Sequence, residues 1–346
     1  MADTEMILLD HGSGGTLTHR LLDEVFRTHF DNPILQTLTD SAVLEGIPPG
    51  RLAFTTDSYV VNPIMFPGGN IGKLAVCGTV NDLAVSGAQP VYLSAGFILE
   101  EGLPWKTLEQ IVQSMAAEAR QSRVTIVTGD TKVVEKGACD QIFINTAGIG
   151  ILQEQFRHIS YGTEIQTGDM ILVNGYIADH GMAVLGKRHE LDFETEIVSD
   201  CASLHGLISR VLALPSSSSG GSPVRFMRDA TRGGIATVLC ELVQHKERGI
   251  LLDESALPVR ESVKGLCEVL GFDPLYVANE GKVVFVVART EAEAVLHELR
   301  QDPLGQNSAI IGEVVSAHPG TVVMNTEVGG KRLIEMLSGA QLPRIC

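Results

Sequence analysis

Several aspartates stand where a carboxylate would serve as a metal ligand. Asp57 follows a predicted strand over residues 52–56, and Asp130 follows one over residues 124–128. A carboxylate there lies at the carboxyl edge of a sheet, where α/β proteins commonly bind ligands. Asp40 and Asp57 both occur in Thr-Asp-Ser, a near-repeat that chance explains equally well. Because no His or Cys residues cluster with them, these carboxylates favour Mg²⁺ over zinc.

Asp82 lies in a predicted helix over residues 70–86. The apolar residues of that helix recur with helical spacing, at Ile71, Leu74, Ala75, Gly78 and Val85. Asp82 comes about three turns after Ile71 and therefore falls inside the apolar stripe. A lone buried carboxylate is costly, and a cation would compensate it. An arginine or backbone N–H groups are the alternative partners.

A second predicted helix, over residues 229–248, opens with two arginines and two adjacent glycines, Arg228, Arg232, Gly233 and Gly234. With Asp229 as N-cap, exposed N–H groups and the helix dipole would form an anion site. The alternative is an ordinary capped helix with solvated arginines. Each glycine in the first turn lowers helix stability by about 1 kcal/mol relative to alanine. That cost indicates that the glycines serve another purpose, and close approach of a ligand is the interpretation we favour.

Other glycine clusters are weaker candidates for phosphate binding. The run Gly12-Ser-Gly-Gly15 is typical of a turn. Residues 67–74 resemble a P-loop, but Pro67 and Leu74 replace its leading glycine and its magnesium-binding hydroxyl, so we reject that motif. Lys73 remains able to contact phosphate. Asn279-Glu280-Gly281 is a turn on composition alone.

Size, charge and cysteine usage restrict the class of protein. The 346 residues suffice for two domains, and the formal net charge of -16 disfavours binding to nucleic acid or an anionic membrane. Without a long apolar run or a signal-peptide pattern, we expect a cytoplasmic protein. Six scattered cysteines indicate a reducing compartment, and five of them are predicted to be small core residues.

The sixth cysteine, Cys346, is the last residue. An incidental exposed thiol is one interpretation, whereas prenylation is excluded because Pro343 occupies the required position. The tail over residues 338–346 shows little periodicity, so we expect it to be mobile or lightly docked. Fully extended, it spans at most about 30 Å, which lets its thiol visit an internal site and external partners.

The chain predicts an α/β fold whose strands are too irregularly spaced for a (β/α) barrel. We expect strands over residues 52–56, 91–99, 124–128, 141–150, 170–173, 283–288 and 321–324, and helices over 70–86, 105–120, 229–248, 261–270 and 291–301. The polar stretch 153–168 indicates a domain boundary. This gives domains over residues 1–160 and 161–337 and the tail 338–346, with the Ser-rich run 215–223 as a surface loop.

These motifs, in this order, resemble the PurM-like (aminoimidazole-ribonucleotide-synthetase-like) ATP enzymes, a superfamily that includes selenophosphate synthetase and thiamine-monophosphate kinase. Within it, the resemblance to the HypE family of hydrogenase maturation proteins is close. The segments that carry it span almost the whole chain: residues 11–15, 39–44, 56–76, 78–84, 129–134, 228–234, 279–281 and 343–346. The terminal Pro-Arg-Ile-Cys is the most specific, while Ser13 and the Ser-rich loop are small departures.

The resemblance implies a two-domain PurM-like fold in a homodimer. The strands of an N-terminal α/β domain would join the partner's in a barrel, a C-terminal α/β domain would pack against it, and ATP would bind between the two. It implies Mg²⁺ on Asp40, Asp57, Asp82 and Asp130. The residues assigned to ATP are Gly14, Gly15, Lys73, Asn81, Thr131, Arg228, Asp229, Arg232 and Gly233.

The resemblance also implies a reaction. In that family the carbamoyltransferase HypF places a carbamoyl group on the terminal cysteine, ATP drives its dehydration to a thiocyanate, and the cyano group passes to iron on a HypC–HypD scaffold. Cys346 would carry the group, with Glu280 as base and Lys132 as electrostatic stabiliser or proton relay.

Two other functions stay open on the sequence. A selenophosphate synthetase would need a reactive cysteine near the N-terminal glycines, but the first is Cys77, and a thiamine-phosphate kinase has no use for Cys346. A non-catalytic metal carrier or scaffold is the alternative from another class. ATP hydrolysis that depends on a carbamoylated tail would distinguish these readings.

Overall fold

The computed structural model describes residues 5–37, 41–189, 197–216, 221–337 and 344–345. Within them, two main β-sheets organise the chain, one before residue 153 and one from residue 170 onward. The connection between the sheets coincides with the polar stretch in which the sequence predicts a domain boundary. None of the described helices is both long and apolar enough to cross a membrane.

The described residues of the first half form four long strands and three helices. The strands are β1 Arg51–Tyr59, β4 Ala88–Glu100, β5 Thr125–Val134 and β6 Ile142–Leu152, with a short hairpin of β2 Met65–Phe66 and β3 Gly69–Asn70. The helices are α1 Thr16–Leu21, which continues as a π-helix, α2 Ile71–Val85 and α3 Trp105–Gln121. The sheet order is β1-β6-β4-β5, and β4 and β5 are parallel because α3 carries the chain between them.

Helix α2 is the structural centre of the molecule. Asn70 caps it by accepting from the backbone N–H groups of Gly72 and Lys73 at 2.9 and 3.0 Å. A Cβ on Gly72 would come within 2.4 Å of the Ile111 carbonyl oxygen, so this glycine lets α2 pack directly on α3. All residues of α2 except Lys73 and Asp82 are buried. The helix is therefore covered on all sides, whereas the sequence predicted a single apolar stripe.

In the second half, seven strands and five helices lie within the described ranges. The strands are β7 Met170–Val173, β8 Val224–Asp229, β9 Gly249–Asp253, β10 Val283–Val287, β11 Ala309–Val315, β12 Val322–Asn325 and β13 Lys331–Ile334. The helices are α4 Asp179–Arg188, α5 His205–Leu212, α6 Gly234–Val243, α7 Glu261–Leu270 and α8 Ala292–Arg300. The sheet order is β13-β12-β9-β11-β7-β10-β8. Successive residues of β10 enter two different apolar cores, which places it inside a sheet covered on both faces.

The α/β class is confirmed, and every predicted strand is present within a few residues of its predicted bounds. The predicted helix over residues 229–248 is shorter, because the chain first forms β8 and then turns before α6. The strands and helices that were not predicted from the sequence are β2, β3, β8, β9, β11, β13, α1, α4 and α5. Of the five cysteines predicted for the core, Cys139 and Cys240 are only half-buried.

Candidate functional site

Three carboxylates gather where the first sheet, α2 and the second sheet meet. Asp57 lies in β1, Asp82 lies in the last turns of α2, and Asp229 ends β8. Thr55 Oγ1 donates to Asp82 Oδ2 at 2.7 Å, and the Tyr59 hydroxyl donates to Asp57 Oδ2 at 3.3 Å. Because side chains alternate along a strand, the odd-numbered positions of β1 all face α2. The strand and the helix thus converge on one acidic group.

Burial and mutual repulsion make this group unfavourable without a counter-charge. Burial, followed by the charges of Asp229 and Asp57, raises the pKa of Asp82 to about 8. Burial and the charge of Asp57 raise the pKa of Asp229 to about 6. A hard cation would relieve both effects, and carboxylate oxygens are the ligands Mg²⁺ prefers. In the described part of the chain, no three His, Cys, Asp or Glu side chains are close enough to enclose a metal ion. Asp40 lies outside the described residues.

Asp130, the fourth predicted metal ligand, does not join the group within one chain. Asp57 pairs with Thr146 of β6, which pairs with Ala95 of β4, which in turn pairs with Gly129 of β5. Three strand spacings, roughly 14 Å, therefore separate the two positions. Asp130 is one residue beyond this row, so its side chain lies on the opposite face. Both aspartates also lie within their strands rather than after them, because β1 and β5 extend further than predicted.

The residues near Asp130 form a separate cleft of about 600 Å³. Lys132 Nζ donates to Asp130 Oδ1 at 3.2 Å, and both side chains are exposed. Thr131 and Gly14 also line the cleft. Gly15 is the N-cap of α1. The structure therefore brings together the N-terminal glycines and the Asp-Thr-Lys segment of β5, as the resemblance implies, but at a distance from Asp57.

The acidic group opens into a second cleft of about 380 Å³, which is lined by Asp82, Arg228, Asp229 and Arg232. The Arg228 guanidinium forms an ion pair with Glu241. This cleft combines cations with carboxylates, the composition that a metal–phosphate complex requires.

The glycine pair before α6 has a local explanation. Gly233 is the N-cap of α6, in place of the predicted Asp229, and its φ of 82° is in the left-handed region that favours glycine. A Cβ on Gly234 would come within 2.4 Å of the Leu275 carbonyl oxygen. Backbone geometry and packing thus account for these glycines, so they are not independent evidence for a ligand.

Two other residues assigned to ATP have structural partners. Lys73 Nζ donates to the Gly68 carbonyl at 3.2 Å, at the opposite end of α2 from Asp82 and roughly 13 Å away along the helix. Asn81 is buried, and its amide nitrogen donates to the carbonyls of Ala202 and Glu280 at 3.0 and 3.3 Å. Asn81 therefore ties α2 to the second half of the chain.

Glu280 lies beside the acidic group, in the turn before β10. It is buried, and its charge, together with those of Asp57 and Asp82, contributes to raising the pKa of Tyr59 after burial, the main cause. The backbone N–H groups of Glu280 and Gly281 donate to the Asp200 carboxylate at 3.1 and 3.2 Å. The turn is thus fixed by a second, separate carboxylate.

A buried ion pair completes this turn. Lys282 Nζ lies 2.9 Å from Asp200 Oδ2, and both side chains are almost fully buried. Neither this ion pair nor the buried His180 was predicted from the sequence. The one available signal was Lys282 itself, because a lysine directly before the wholly apolar strand β10 requires an acidic partner.

The end of the chain is docked against the first half. Cys346 and residues 338–343 lie outside the described residues, but Arg344 and Ile345 are described. Ile345 is 1% exposed and belongs to the main apolar core. The Arg344 carbonyl accepts from the Asn62 N–H at 3.2 Å and from Arg188 Nη2 at 2.6 Å. These two residues are therefore held firmly, although the sequence suggested a mobile or lightly docked tail.

The chain matches one family of known proteins over most of its length. The N-terminal domain model of AIR synthase related proteins matches residues 38–152, and the corresponding C-terminal domain model matches residues 166–325. The carbamoyl dehydratase HypE of Rhizobium leguminosarum bv. viciae is 49% identical over 338 residues, which cover 98% of this chain and 94% of that protein.

Solved structures agree with these matches. A crystal structure of the hydrogenase maturation protein HypE in complex with ATP superposes with a TM-score of 0.91 at 48% identity, covering 98% of this chain and 99% of the other. A crystal structure of a HypE–HypF complex superposes with a TM-score of 0.77 at 46% identity, covering 93% and 100%.

The acidic group predicts a pH-dependent stability. Since the pKa values of Asp82 and Asp229 lie above that of an unfolded aspartate, the folded protein binds more protons between about pH 4 and pH 8, and its stability falls as the pH rises. We expect Asp82→Asn to stabilise the metal-free protein at about pH 8 by about 2 kcal/mol or more, measured by urea denaturation in a chelator.

We expect the response of the free energy of unfolding to Mg²⁺ to distinguish this acidic group from other buried acids. Added Mg²⁺ should stabilise the wild type at this pH and leave Asp82→Asn unchanged. Asp169→Asn is the matched control, because burial raises the pKa of Asp169 as well, yet it lies at the start of β7. That control should keep the full response to Mg²⁺. Equal stability of wild type and Asp82→Asn at both ends of the pH range would contradict the electrostatic account.

Proposed function

From the premise that this chain belongs to the family of the carbamoyl dehydratase HypE, an enzyme of hydrogenase maturation, we propose that its own Cys346 carries the carbamoyl group. ATP would drive dehydration of that group to a thiocyanate, the source of the cyanide ligand of [NiFe] hydrogenase iron. The observation that supports this proposal is the docking of Ile345 on His180, in the helix whose start is hydrogen-bonded to residues 278 and 279, directly before Glu280.

The docked tail explains how a terminal thiol reaches an internal site. The Ile345 carbonyl accepts a hydrogen bond from His180 Nε2 at 2.8 Å, and Cys346 is attached to that same carbonyl. His180 is the second residue of α4, whose start is hydrogen-bonded to residues 278 and 279. Glu280 follows directly. Ile345, the residue before Cys346, is therefore held by a helix whose start is hydrogen-bonded to the turn that leads into Glu280.

The reaction requires the carbamoyl oxygen to become a leaving group. That oxygen attacks the γ-phosphorus of ATP, ADP departs, and the nitrogen loses its first proton. Loss of the second proton and cleavage of the carbon–oxygen bond release phosphate and form the C≡N bond. We assign the proton transfer from nitrogen to Glu280, because the role requires a carboxylate within reach of the carbamoyl group. Lys132 is proposed to neutralise phosphate charge or to relay a proton.

The acidic group fits the predicted metal role. Asp57, Asp82 and Asp229 supply oxygen ligands that lack sufficient counter-charge, and we propose that Asp40 and Asp130 complete the set. When bound, Mg²⁺ would neutralise the charge that develops on the phosphates. Arg228 and Arg232 line the same cleft and are placed to hold phosphate oxygens.

A homodimer would join the two clefts. Strands β1 and β5 are the two edges of the first sheet, and its outer face exposes Leu52, Phe54 and Ile98 at 63%, 70% and 42%. An apolar sheet face with open edges favours pairing with another sheet. Since one chain separates Asp130 from Asp57 by the whole sheet, we propose that each site takes Asp130 and Lys132 from the second copy.

The partners follow from the same proposal. A structural relative is a complex of HypE with HypF, which supports HypF as the carbamoyl donor for this chain. A HypC–HypD iron scaffold is the proposed acceptor of the cyano group. The tail must leave its docking site to meet either partner, because Ile345 is buried when docked.

The central reaction is tested with intact-mass spectrometry. The protein is incubated with HypF, carbamoyl phosphate and MgATP. We expect the wild type to gain one carbamoyl group and then lose one water, and Cys346→Ala to gain nothing. Glu280→Gln should gain the carbamoyl group and lose water about 10²-fold more slowly, because the amide cannot accept the proton.

Glu298→Gln is the matched control, since Glu298 on α8 forms an ion pair with Arg210 on α5 and should not affect the reaction. Two results would contradict the proposal. A wild-type carbamoyl adduct that persists with MgATP would make the chain a carrier, and normal dehydration by Glu280→Gln would remove Glu280 from the chemistry.

The shared site is tested by mixing two inactive variants. Asp57→Asn and Asp130→Asn should each lose dehydration as pure homodimers. After unfolding and refolding together, half of the dimers are mixed, and each mixed dimer has one intact site, so about a quarter of wild-type activity should return. Sites formed within single chains would give no recovery.

A further inference from the structure

His180 is a buried histidine that the reaction scheme does not use. Its Nε2 lies 2.8 Å from the Ile345 carbonyl oxygen and its Nδ1 lies 2.8 Å from Ser199 Oγ. A carbonyl only accepts, so Nε2 carries the hydrogen and Nδ1 accepts from the Ser199 hydroxyl. The Ser199 oxygen in turn accepts from the Cys201 N–H at 3.1 Å. The edge of Phe66 completes the contacts of the ring at 5.4 Å.

The start of α4 and the turn that carries Glu280 behave as one unit. The Ala178 N–H donates to Asn279 Oδ1 at 2.8 Å, and the Gly181 N–H donates to the Ala278 carbonyl at 3.1 Å. Ala178 has a φ of 71°, which a residue other than glycine rarely adopts, so the surrounding bonds hold it there. The His180 ring therefore has a fixed position relative to Glu280.

The segment before α5 reinforces this link. Ser199 binds the His180 ring, while the next residue, Asp200, accepts from the backbone N–H groups of Glu280 and Gly281. A Cβ on Gly281 would come within 1.9 Å of the Asp200 carbonyl oxygen, so only glycine allows this approach. The adjacent residues Ser199 and Asp200 thus link the His180 ring to the turn that carries Glu280.

The other hydrogen bonds to the tail backbone are made one residue before Ile345. Asn62 and Arg188 bind the carbonyl of Arg344, one residue earlier. Among the described residues, His180 is the side chain that binds the Ile345 carbonyl, which is the carbonyl joined to Cys346. Asn62 and Arg188 therefore hold the tail at Arg344, whereas His180 holds it at Ile345.

We propose that His180 is a positioning residue: by holding the Ile345 carbonyl, it fixes the point from which the chain continues to Cys346, as the proposed dehydration at Glu280 requires. This inference rests on the proposed function and deepens it. It predicts that loss of the His180 hydrogen bond slows dehydration while leaving ATP binding intact.

The first test is single-turnover dehydration of the carbamoylated protein with MgATP. We expect His180→Ala to react about 10²-fold more slowly, because a small misplacement of a reacting group has effects of that size. Its affinity for MgATP should equal that of the wild type. His180→Gln carries an amide that can donate to the same carbonyl, and it should recover part of the rate.

The second test measures positioning directly, through alkylation of Cys346 by iodoacetamide in the uncarbamoylated protein. The rate is read from the mass of the C-terminal peptide. We expect His180→Ala to accelerate alkylation at least about tenfold, with His180→Gln closer to the wild type. Ser199→Ala keeps the imidazole and removes its partner, so it should shift both measurements in the same direction by less. It also serves if His180→Ala fails to fold.

His158→Ala is the matched control. His158 Nε2 also bonds a backbone carbonyl, that of Val224 at 2.9 Å, but at the start of β8. It should leave dehydration and alkylation at wild-type rates. Wild-type dehydration by His180→Ala would overturn the inference, as would slow dehydration with unchanged alkylation and no recovery in His180→Gln. A wild type that never dehydrates, combined with faster alkylation of His180→Ala, would overturn the proposed function and confirm the tail contact.

Discussion

The ion pair between Asp200 and Lys282 is the interaction on which the candidate site depends. Burial alone would raise the pKa of Asp200, but the charge of Lys282 holds it below its usual value. The same carboxylate accepts two backbone N–H groups of the turn containing Glu280. Removing one partner of such a pair typically costs about 3–5 kcal/mol, because the other charge stays buried. The ion pair thus holds the turn that contains Glu280, the proposed base. Strand β10, which begins directly after Lys282, anchors the other end of that turn in the core.

The second constraint is the separation of charges between the two sheet edges. Carboxylates that need a cation lie at β1, whereas Lys132 lies at β5 with Asp130. A single chain cannot bring them together without losing the sheet. In the proposed dimer the two groups would come from different chains, so assembly and catalysis would be coupled. The tail adds a third condition, because the docked form buries Ile345, the residue before the proposed carrier Cys346.

Sequence reasoning was most successful where the information is local. The strand Met170–Val173 and the helix Glu261–Leu270 have the predicted bounds, because apolar runs and periodicity determine them. Helical spacing predicted that Asp82 lies among apolar residues, and partial burial raises its pKa, while its role as a metal ligand stays a prediction. Strand β8 was not predicted, because its last residues, Arg228 and Asp229, were assigned to a helix start, which also made Asp229 an N-cap rather than a member of the acidic group.

Long-range contacts account for the rest. His180, Asp200 and Lys282 come from three distant segments, and only the fold brings them together. The tail has no periodicity of its own, and Ile345 is buried because remote segments form its pocket. The assignments of Asp40 and Cys346 remain predictions, since both lie outside the described residues.

The most direct test of the central claim follows one oxygen atom. The carbamoyl group on Cys346 is prepared with oxygen-18 in its carbonyl, and MgATP is added for a single turnover. If ATP phosphorylates the carbamoyl oxygen, the label must appear in inorganic phosphate as the thiocyanate forms. Appearance of the label in water, with unlabelled phosphate, would contradict the account, because the oxygen would then have left without phosphorylation.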